Sequence, residues 1–328
     1  MNTTAFNFKT LMPDLIMDAL QGVGLRVDSG LTALNSYENR VYQFLDEDKK
    51  RYVVKFYRPE RWSVDQILEE HELSLGLADA EIPVVPPMRI NGATLLEHQG
   101  FHFAVFPSVG GRQFEQDNDD QLEWVGRFIG RIHRNNGDKL FTARPTIDLE
   151  EYLYEPRREL ERSSLITGKQ KTAFLQSVDT LIAEVKLCWT TQWRPLRLHG
   201  DLHASNIMWR DGPMFVDLDD ARNGPAVQDL WMLLTGDRID QQYQLSLLLD
   251  AYGEFMDFNP RELALIEPLR AMRMIYYLAW ISRRWGDPAF PYSFPWMVEG
   301  AFWSQQTLIF TEQVKLLHEP PLQLMPIY

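Results

Sequence analysis

Cysteine is almost missing from this 328-residue chain, where Cys188 stands alone. One thiol excludes a disulfide framework and a cysteine-built zinc site, and it suits a reducing compartment. Long apolar runs are missing as well: none reaches the roughly 18 residues that a bilayer span needs. The first ten residues, MNTTAFNFKT, hold no basic stretch followed by an apolar one, so no secretory leader is expected. These absences together predict a cytoplasmic protein with no membrane partner. A basic surface is lacking too. The net charge of −13 repels phosphate backbones and argues against nucleic acid as a partner. Internal repeats and low-complexity segments are not found.

What is present is ample material for a core: 45% apolar residues, with ten Trp and eighteen Phe. The length exceeds that of a usual single core, so two lobes are expected. Up to residue 106 the chain reads mainly as strands after an initial helix at about 12–22. VYQFLDED and KRYVVKFYR are rich in β-branched and aromatic residues, and the charged turn DEDKK joins them as a hairpin. WSVDQILEEHELSLGLADA then carries apolar residues near helical spacing, with Ser63 as N-cap, and the prolines of EIPVVPP end it. ATLLEHQGFHFAVF reads as a second hairpin. Beyond PSVGG the pattern turns helical, at 119–135, 169–190, 228–236, 240–256, 260–285 and 297–318, with strands expected only at 196–198, 207–209 and 214–218. The expected organisation is α+β: a small β-rich N-lobe over 1–106, a linker at 107–111, and a large, mainly helical C-lobe over 112–328.

The chemistry concentrates in RLHGDLHASNIMWRDGPMFVDLDDA, residues 197–221. NIMW and MFVDLD read as two strands joined by the Asp-Gly turn of RDGP. Such a hairpin carries Asn206 and Asp217 toward one end, and Asp201 lies in the loop just before it. Hard oxygen donors, few in number, suit Mg²⁺, which takes its remaining ligands from water and phosphate. Asp201 can accept a proton from an attacking hydroxyl. One base, one metal asparagine and one metal aspartate divide the labour of phosphoryl transfer.

HGDLHASN resembles the catalytic loop of the aminoglycoside phosphotransferase and choline kinase-like family, and VDLDD resembles that family's metal-binding strand. LNSYENRVYQF, RYVVKFYRPERW and GPAVQDLWML extend the likeness over essentially the whole chain, toward members that phosphorylate proteins on serine and threonine in stress responses. The resemblance implies a two-lobed protein kinase-like fold, ATP as co-substrate and Mg²⁺ as cofactor. It also implies protein Ser/Thr substrates, the chain itself among the candidates; a monomer is expected. It makes Asp201 and Asp217 catalytic, Asn206 and Asp217 the metal ligands, and Lys55 the holder of the phosphates. Alternation around Val54 and Phe56 does not decide which face Lys55 takes. Glu69, Glu70 and Glu72 compete to pair with it, and the family's count from IPVVPP favours Glu70. A G-x-G-x-x-G loop is absent. The resemblance sets Ser36, in LNSYENRV, at the ATP phosphates instead, and backbone near Phe106 and Ser108 at adenine. An ordinary Asn/Ser turn and a plain linker are the bland alternatives for these segments. His199 is read as support for the catalytic loop, His203 as loop surface or a support behind the site, and Asp229 as a helix-start acid that the resemblance also makes a brace for the loop. Asp219 and Asp220 receive no role. Only seven residues separate Asp217 from Pro225, too few for a long activation segment.

Other chemistries fit less well. A haloacid dehalogenase-type phosphatase needs a threonine that VDLDDA lacks. A metallohydrolase using His199, Asp201 and His203 lacks a convincing further histidine. A non-catalytic nucleotide-binding regulator would have lost the base or a ligand. The serious rival is a kinase for an amino alcohol, sugar or antibiotic, since function resides in the acceptor site rather than the fold. In the acceptor region, RAMRMIYYLAWISRRWGDPAFPYSFPW, Met272, Ile275, Leu278 and Ala279 are expected to be buried, leaving Arg283 and Arg284 to border a groove.

Overall fold

The computed structural model describes residues 7–326. The first six residues of MNTTAFNFKT and the last two of EPPLQLMPIY lie outside the described residues. In chain order the first elements are α1 (Pro13–Gly22), β1 (Thr32–Ala33), β2 (Arg40–Leu45), β3 (Arg51–Phe56) and α2 (Val64–Asp79). Next come β4 (Leu96–His98), β5 (Phe101–Pro107), β6 (Arg112–Gln113), α3 (Asp119–Asn136), α4 (Glu155–Arg162) and α5 (Gly168–Cys188). They are followed by β7 (Leu196–Leu198), β8 (Ile207–Trp209), β9 (Pro213–Phe215), β10 (Arg222–Gly224) and α6 (Gln228–Trp231). The last helices are α7 (Arg238–Gly253), α8 (Ile266–Arg283), α9 (Ala289–Ser293) and α10 (Gly300–Leu317). Among the described residues, no helix is long and apolar enough to cross a membrane.

Two compact units organise these elements. The first comprises the chain up to Glu115 with Phe141–Arg144 and His203–Ala221; the second comprises Gln116–Leu140, Pro145–Leu202 and the chain from Arg222 on. The first unit is built on a five-stranded antiparallel sheet in the order β1-β2-β3-β5-β4. Strand alternation gives the sheet two apolar faces. Phe44, Val54, Phe56, Phe101, Phe103 and Val105 pack with Ile16 and Leu20 of α1. On the other face Ala104 packs with Ile67 of α2 and with Tyr57. Helix α2 begins with a full capping box, in which Ser63 and Gln66 satisfy each other's backbone amides. Strands β6, β8 and β9 form a separate three-stranded sheet in the same unit.

Among the described residues, the regular structure of the second unit is helical apart from the β7–β10 pair. Helix α3 packs on α7, α5 on α10, and α8 on α4, α5 and α10. Phe174 of α5 meets Trp303 and Phe310 of α10 at ring-centroid distances of 4.9 and 5.4 Å. The expected burial of Met272, Ile275, Leu278 and Ala279 on α8 is observed. Several expected boundaries change. The 228–236 helix shrinks to the four residues of α6, and 260–265 forms a 3₁₀ turn ahead of α8. The return strand of the Asp-Gly hairpin ends at Phe215, because Asp217 takes a left-handed backbone that no strand accommodates. Strands β6 and β10 and helix α4, which follows a π-helical turn at Glu150–Tyr154, were not expected.

Gly126 and Gly130 lie one turn apart on α3 and let it approach α7 at backbone distance. A Cβ at Gly126 would run into the Leu248 carbonyl oxygen, and one at Gly130 would lie 2.6 Å from the Tyr252 oxygen. Alanine gains about 1 kcal/mol of helix propensity over glycine, but overpacking costs about 1–3 kcal/mol. Gly126→Ala should therefore lower stability in urea unfolding, and a variant as stable as the parent would contradict this packing.

Candidate active site

The first unit gathers a buried cluster of charges around Lys55. Lys55 is the fifth of the six residues of β3, opposite Val41 of β2 and Ala104 of β5. Val54 and Phe56 fill the α1 face, so the lysine points to the α2 face and is 6% exposed. Its Nζ lies 2.9 Å from Asp219 Oδ1, 3.3 Å from Asp217 Oδ1 and 3.6 Å from Glu70 Oε1. Burial lowers its pKa, but Asp219, Glu70 and Asp217 outweigh burial and hold the ammonium well above its ordinary value.

The three glutamates of α2 divide cleanly. Glu70 shares the buried stripe of Ile67, Leu73 and Leu77 and receives Arg144 Nη2 at 3.1 Å. Glu69 accepts the backbone amides of Thr142, Ala143 and Arg144 at 2.7, 3.0 and 2.8 Å. Burial pushes the Glu69 carboxyl up, but these amides pull it below its usual value. Glu72 is exposed.

Asp219, given no role by the sequence, is the group on which the cluster converges. Besides Lys55 it meets Arg61 and accepts Asn39 Nδ2 at 3.1 Å. Arg61 also reaches Asp220 at 2.8 Å. Arg144, 3% exposed, donates to the carbonyls of Asp219, Ala221 and Gln66. The cations hold the Asp219 carboxyl far below the usual carboxylate range, although burial acts the other way.

The hairpin β8–β9 places the remaining polar groups of this unit. Asp211 and Gly212 take positive φ in its turn. At the other end Val216 N donates to Asn206 O at 3.0 Å, which sets Asn206 beside the residues leading into Asp217. Asp217 has φ of 61° and leaves its side chain 56% exposed, against 5% for Asp219 two residues on. No group of three or more His, Cys, Asp or Glu among the described residues could hold a metal. An Asn and an exposed Asp at one hairpin end instead suit an ion that takes most of its oxygens from phosphate and water.

Ser36 is half-buried in the loop between β1 and β2. That loop is fastened through Glu38, which meets Arg58 at 2.9 Å, and through Asn39, which bonds Arg58 N and Asp219. Phe106 pairs with Val53 and packs near Tyr57 and Ile67. Ser108 donates its amide to Arg51 O at 3.1 Å and accepts Gln43 Nε2 at 2.9 Å.

In the second unit Asp201 follows β7 through Gly200, whose φ is +85°. Asp229, buried at the start of α6, accepts the His199 and Gly200 amides at 2.8 Å each and meets His133 Nε2 at 3.1 Å. Gln228 Nε2 donates to Gly200 O at 2.9 Å, and His133 Nδ1 lies 3.1 Å from the Tyr252 hydroxyl. The loop before Asp201 is thus held by α6, with α3 and α7 behind it. Arg273 of α8 reaches Asp201 Oδ1 at 2.5 Å. Arg283, expected beside a groove, lies 3.9 Å from Glu159.

Two stability measurements separate these groups. Removing one partner of a buried ion pair costs about 3–5 kcal/mol, whereas an exposed pair is worth about 0–1 kcal/mol. Asp219→Asn should therefore destabilise the protein far more than Asp217→Asn in urea; equal losses would count against the cluster as drawn. His71, next to Glu70, bonds the Tyr57 hydroxyl at 2.8 Å and Thr94 Oγ1 at 2.9 Å. Burial, then the charges of Lys55 and Arg144, lower its pKa to about 3. The unfolded chain binds that proton below about pH 6.5, so stability is lost as pH falls from there toward 3. The loss should be about 2 kcal/mol between pH 7 and pH 5. Urea unfolding of His71→Gln should show a flatter profile; parallel profiles would exclude His71 as the source.

Comparison with known proteins accords with this geometry. The phosphotransferase enzyme family, APH, matches residues 30–266. Stress response kinase A of Escherichia coli strain K12 is 63% identical over 328 residues, covering 100% of both chains. Serine/threonine protein kinase RdoA of Salmonella typhimurium is 62% identical over the same full length. Among solved structures, amicoumacin kinase hAmiN in complex with AMP-PNP, Ca²⁺ and Ami is similar with a TM-score of 0.71. It is 21% identical and covers 94% of this chain and 95% of that one. A microcompartment-associated aminopropanol kinase is similar with a TM-score of 0.72 at 15% identity, covering 95% and 99%. These structures share the α+β kinase-like fold. With a family match across most of the chain and relatives this similar from end to end, the protein belongs to the phosphotransferase enzyme family.

Proposed function

We propose that the protein is an ATP-dependent protein serine/threonine kinase that acts in the cytoplasm, as a monomer, in a stress response. The supporting observation for nucleotide chemistry is the Lys55 cluster: a buried, protonated lysine 3.3 Å from an exposed aspartate at the hairpin end that also carries Asn206. The acceptor class rests on full-length relatives named as stress response and Ser/Thr protein kinases.

In this reading Lys55, held by Glu70, binds the α- and β-phosphates of ATP. Ser36 and the amides of its loop meet phosphate oxygens, and backbone near Phe106 and Ser108 meets adenine. Asn206 and Asp217 would hold Mg²⁺, which when bound offsets phosphate charge. The seryl or threonyl oxygen forms a bond to the γ-phosphorus as the bond to the β–γ bridging oxygen breaks. ADP leaves, and the hydroxyl proton passes to Asp201. Asp229 and Gln228 keep the Asp201 loop fixed, so the base need not be ordered during the reaction.

Asp201→Asn should lower transfer by about 10²–10⁴, the usual contribution of a general base, while ATP affinity stays within about twofold of the parent. The assay supplies Mg-ATP and a general protein substrate, with modified residues mapped by mass spectrometry. Phosphate found only on a small alcohol, with no phosphoserine or phosphothreonine above the Asp201→Asn control, would replace this reading with a small-molecule kinase.

A further inference from the structure

The contact between Arg273 and Asp201 bears on which acceptors the protein takes. Arg273 stands on α8, off the buried stripe of Met272, Ile275 and Ala279, with its side chain 41% exposed. Its Nη1 lies 2.5 Å from Asp201 Oδ1, and the Asp201 side chain is 24% exposed. A pair this open to water contributes little to folding. The one acid on α8 is Glu267, and it meets Arg270 at 3.1 Å and Gln313 at 2.8 Å. Arg270 is thus answered by an acid of its own helix, and Arg273 by the base itself.

We propose that Arg273 is the acceptor-selecting residue: it favours a serine or threonine flanked by acidic side chains and disfavours acceptors that carry an ammonium next to the hydroxyl. The inference rests on the protein-kinase reading and names its substrate class. Any hydroxyl that hydrogen-bonds the Asp201 carboxylate comes within about 5–7 Å of the guanidinium, by the sum of two hydrogen bonds and the carboxylate width. Charges one or two residues away on a peptide, or two carbons away on an amino alcohol, then fall within about one screening length. As Asp201 takes up the acceptor's proton, its charge no longer answers the guanidinium, and a like charge there is repelled. A carboxylate meets a planar fork whose geometry matches its two oxygens. No bond-making step changes: the acceptor proton still goes to Asp201 and ADP still leaves.

The test uses the full chain with Mg-ATP and three peptides that differ only in the residues flanking one serine: glutamates, glutamines or lysines. The parent should rank them glutamate, glutamine, lysine, with kcat/KM at least about tenfold apart between the extremes. Arg273→Gln should bring the three within about twofold of one another, and Arg273→Glu should reverse the order. Arg273→Lys keeps the charge and loses the fork, so it should keep the order with a smaller spread. Should a variant not fold, the parent's own glutamate preference should shrink as salt is raised, and its absence at low salt overturns the proposal. A ranking unchanged in Arg273→Gln, or a parent that prefers lysine, overturns it as well. Equal phosphorylation of all three peptides removes the acidic selection and leaves the kinase reading standing. If the parent phosphorylates none of them and accepts an amino alcohol, both readings fall together.

Discussion

Lys55 and the acids around it are withdrawn from water, and that withdrawal disciplines the rest of the first unit. A buried ammonium is tolerable only if carboxylates answer it, and those carboxylates in turn need their own partners. Asp219 meets Lys55, Arg61 and Asn39; Glu70 meets Lys55 and Arg144. The contacts join β3, the segment before α2, α2 itself, the 141–144 stretch and the end of the hairpin. Replacing such a cluster with apolar side chains could cost nothing in stability. Its value lies in position, because any displacement of one charge leaves another unpaired. The loop that carries Ser36 and the turn that carries Asp217 are fixed by the same set of charges.

The second unit solves a similar problem with hydrogen bonds. Asp229 accepts the amides of His199 and Gly200, which pins the peptide planes on either side of His199, and Gln228 holds the Gly200 carbonyl, so the direction in which Asp201 leaves the loop is set. His133 and Tyr252 line up behind Asp229, so the orientation is passed down to the α3 and α7 helices. The close approach of those helices at Gly126 and Gly130 belongs to the same arrangement.

Much of this was legible in the sequence where the signal is local. The β2–β3 and β4–β5 hairpins follow from alternation and turn residues, and α2 follows from Ser63, its apolar spacing and the prolines after it. The two short apolar strands and the Asp-Gly turn between them carry Asn206 and Asp217 toward one hairpin end. Non-local features were not legible. Asp219, Arg61, Arg144 and Asn39 meet across as many as 180 positions, and no spacing rule links them. Strands β6 and β10, of two and three residues, exist because a partner strand is there to pair with. Arg273 lies inside a helical pattern whose apolar residues are legible, but its contact with Asp201 depends on how α8 packs. His133 left one faint sign, a histidine among the apolar positions of an amphipathic helix.

The left-handed backbone at Asp217 has a consequence for anyone who alters that position. Aspartate and asparagine enter this region at low cost because their short polar side chains bond locally, while alanine and the longer side chains resist it. An alanine substitution therefore changes two things at once, the carboxylate and the local direction of the chain that leads into Asp219. Asparagine changes the charge and keeps the turn. Most other side chains meet a backbone cost of about 1–2 kcal/mol at position 217, added to the loss of the carboxylate.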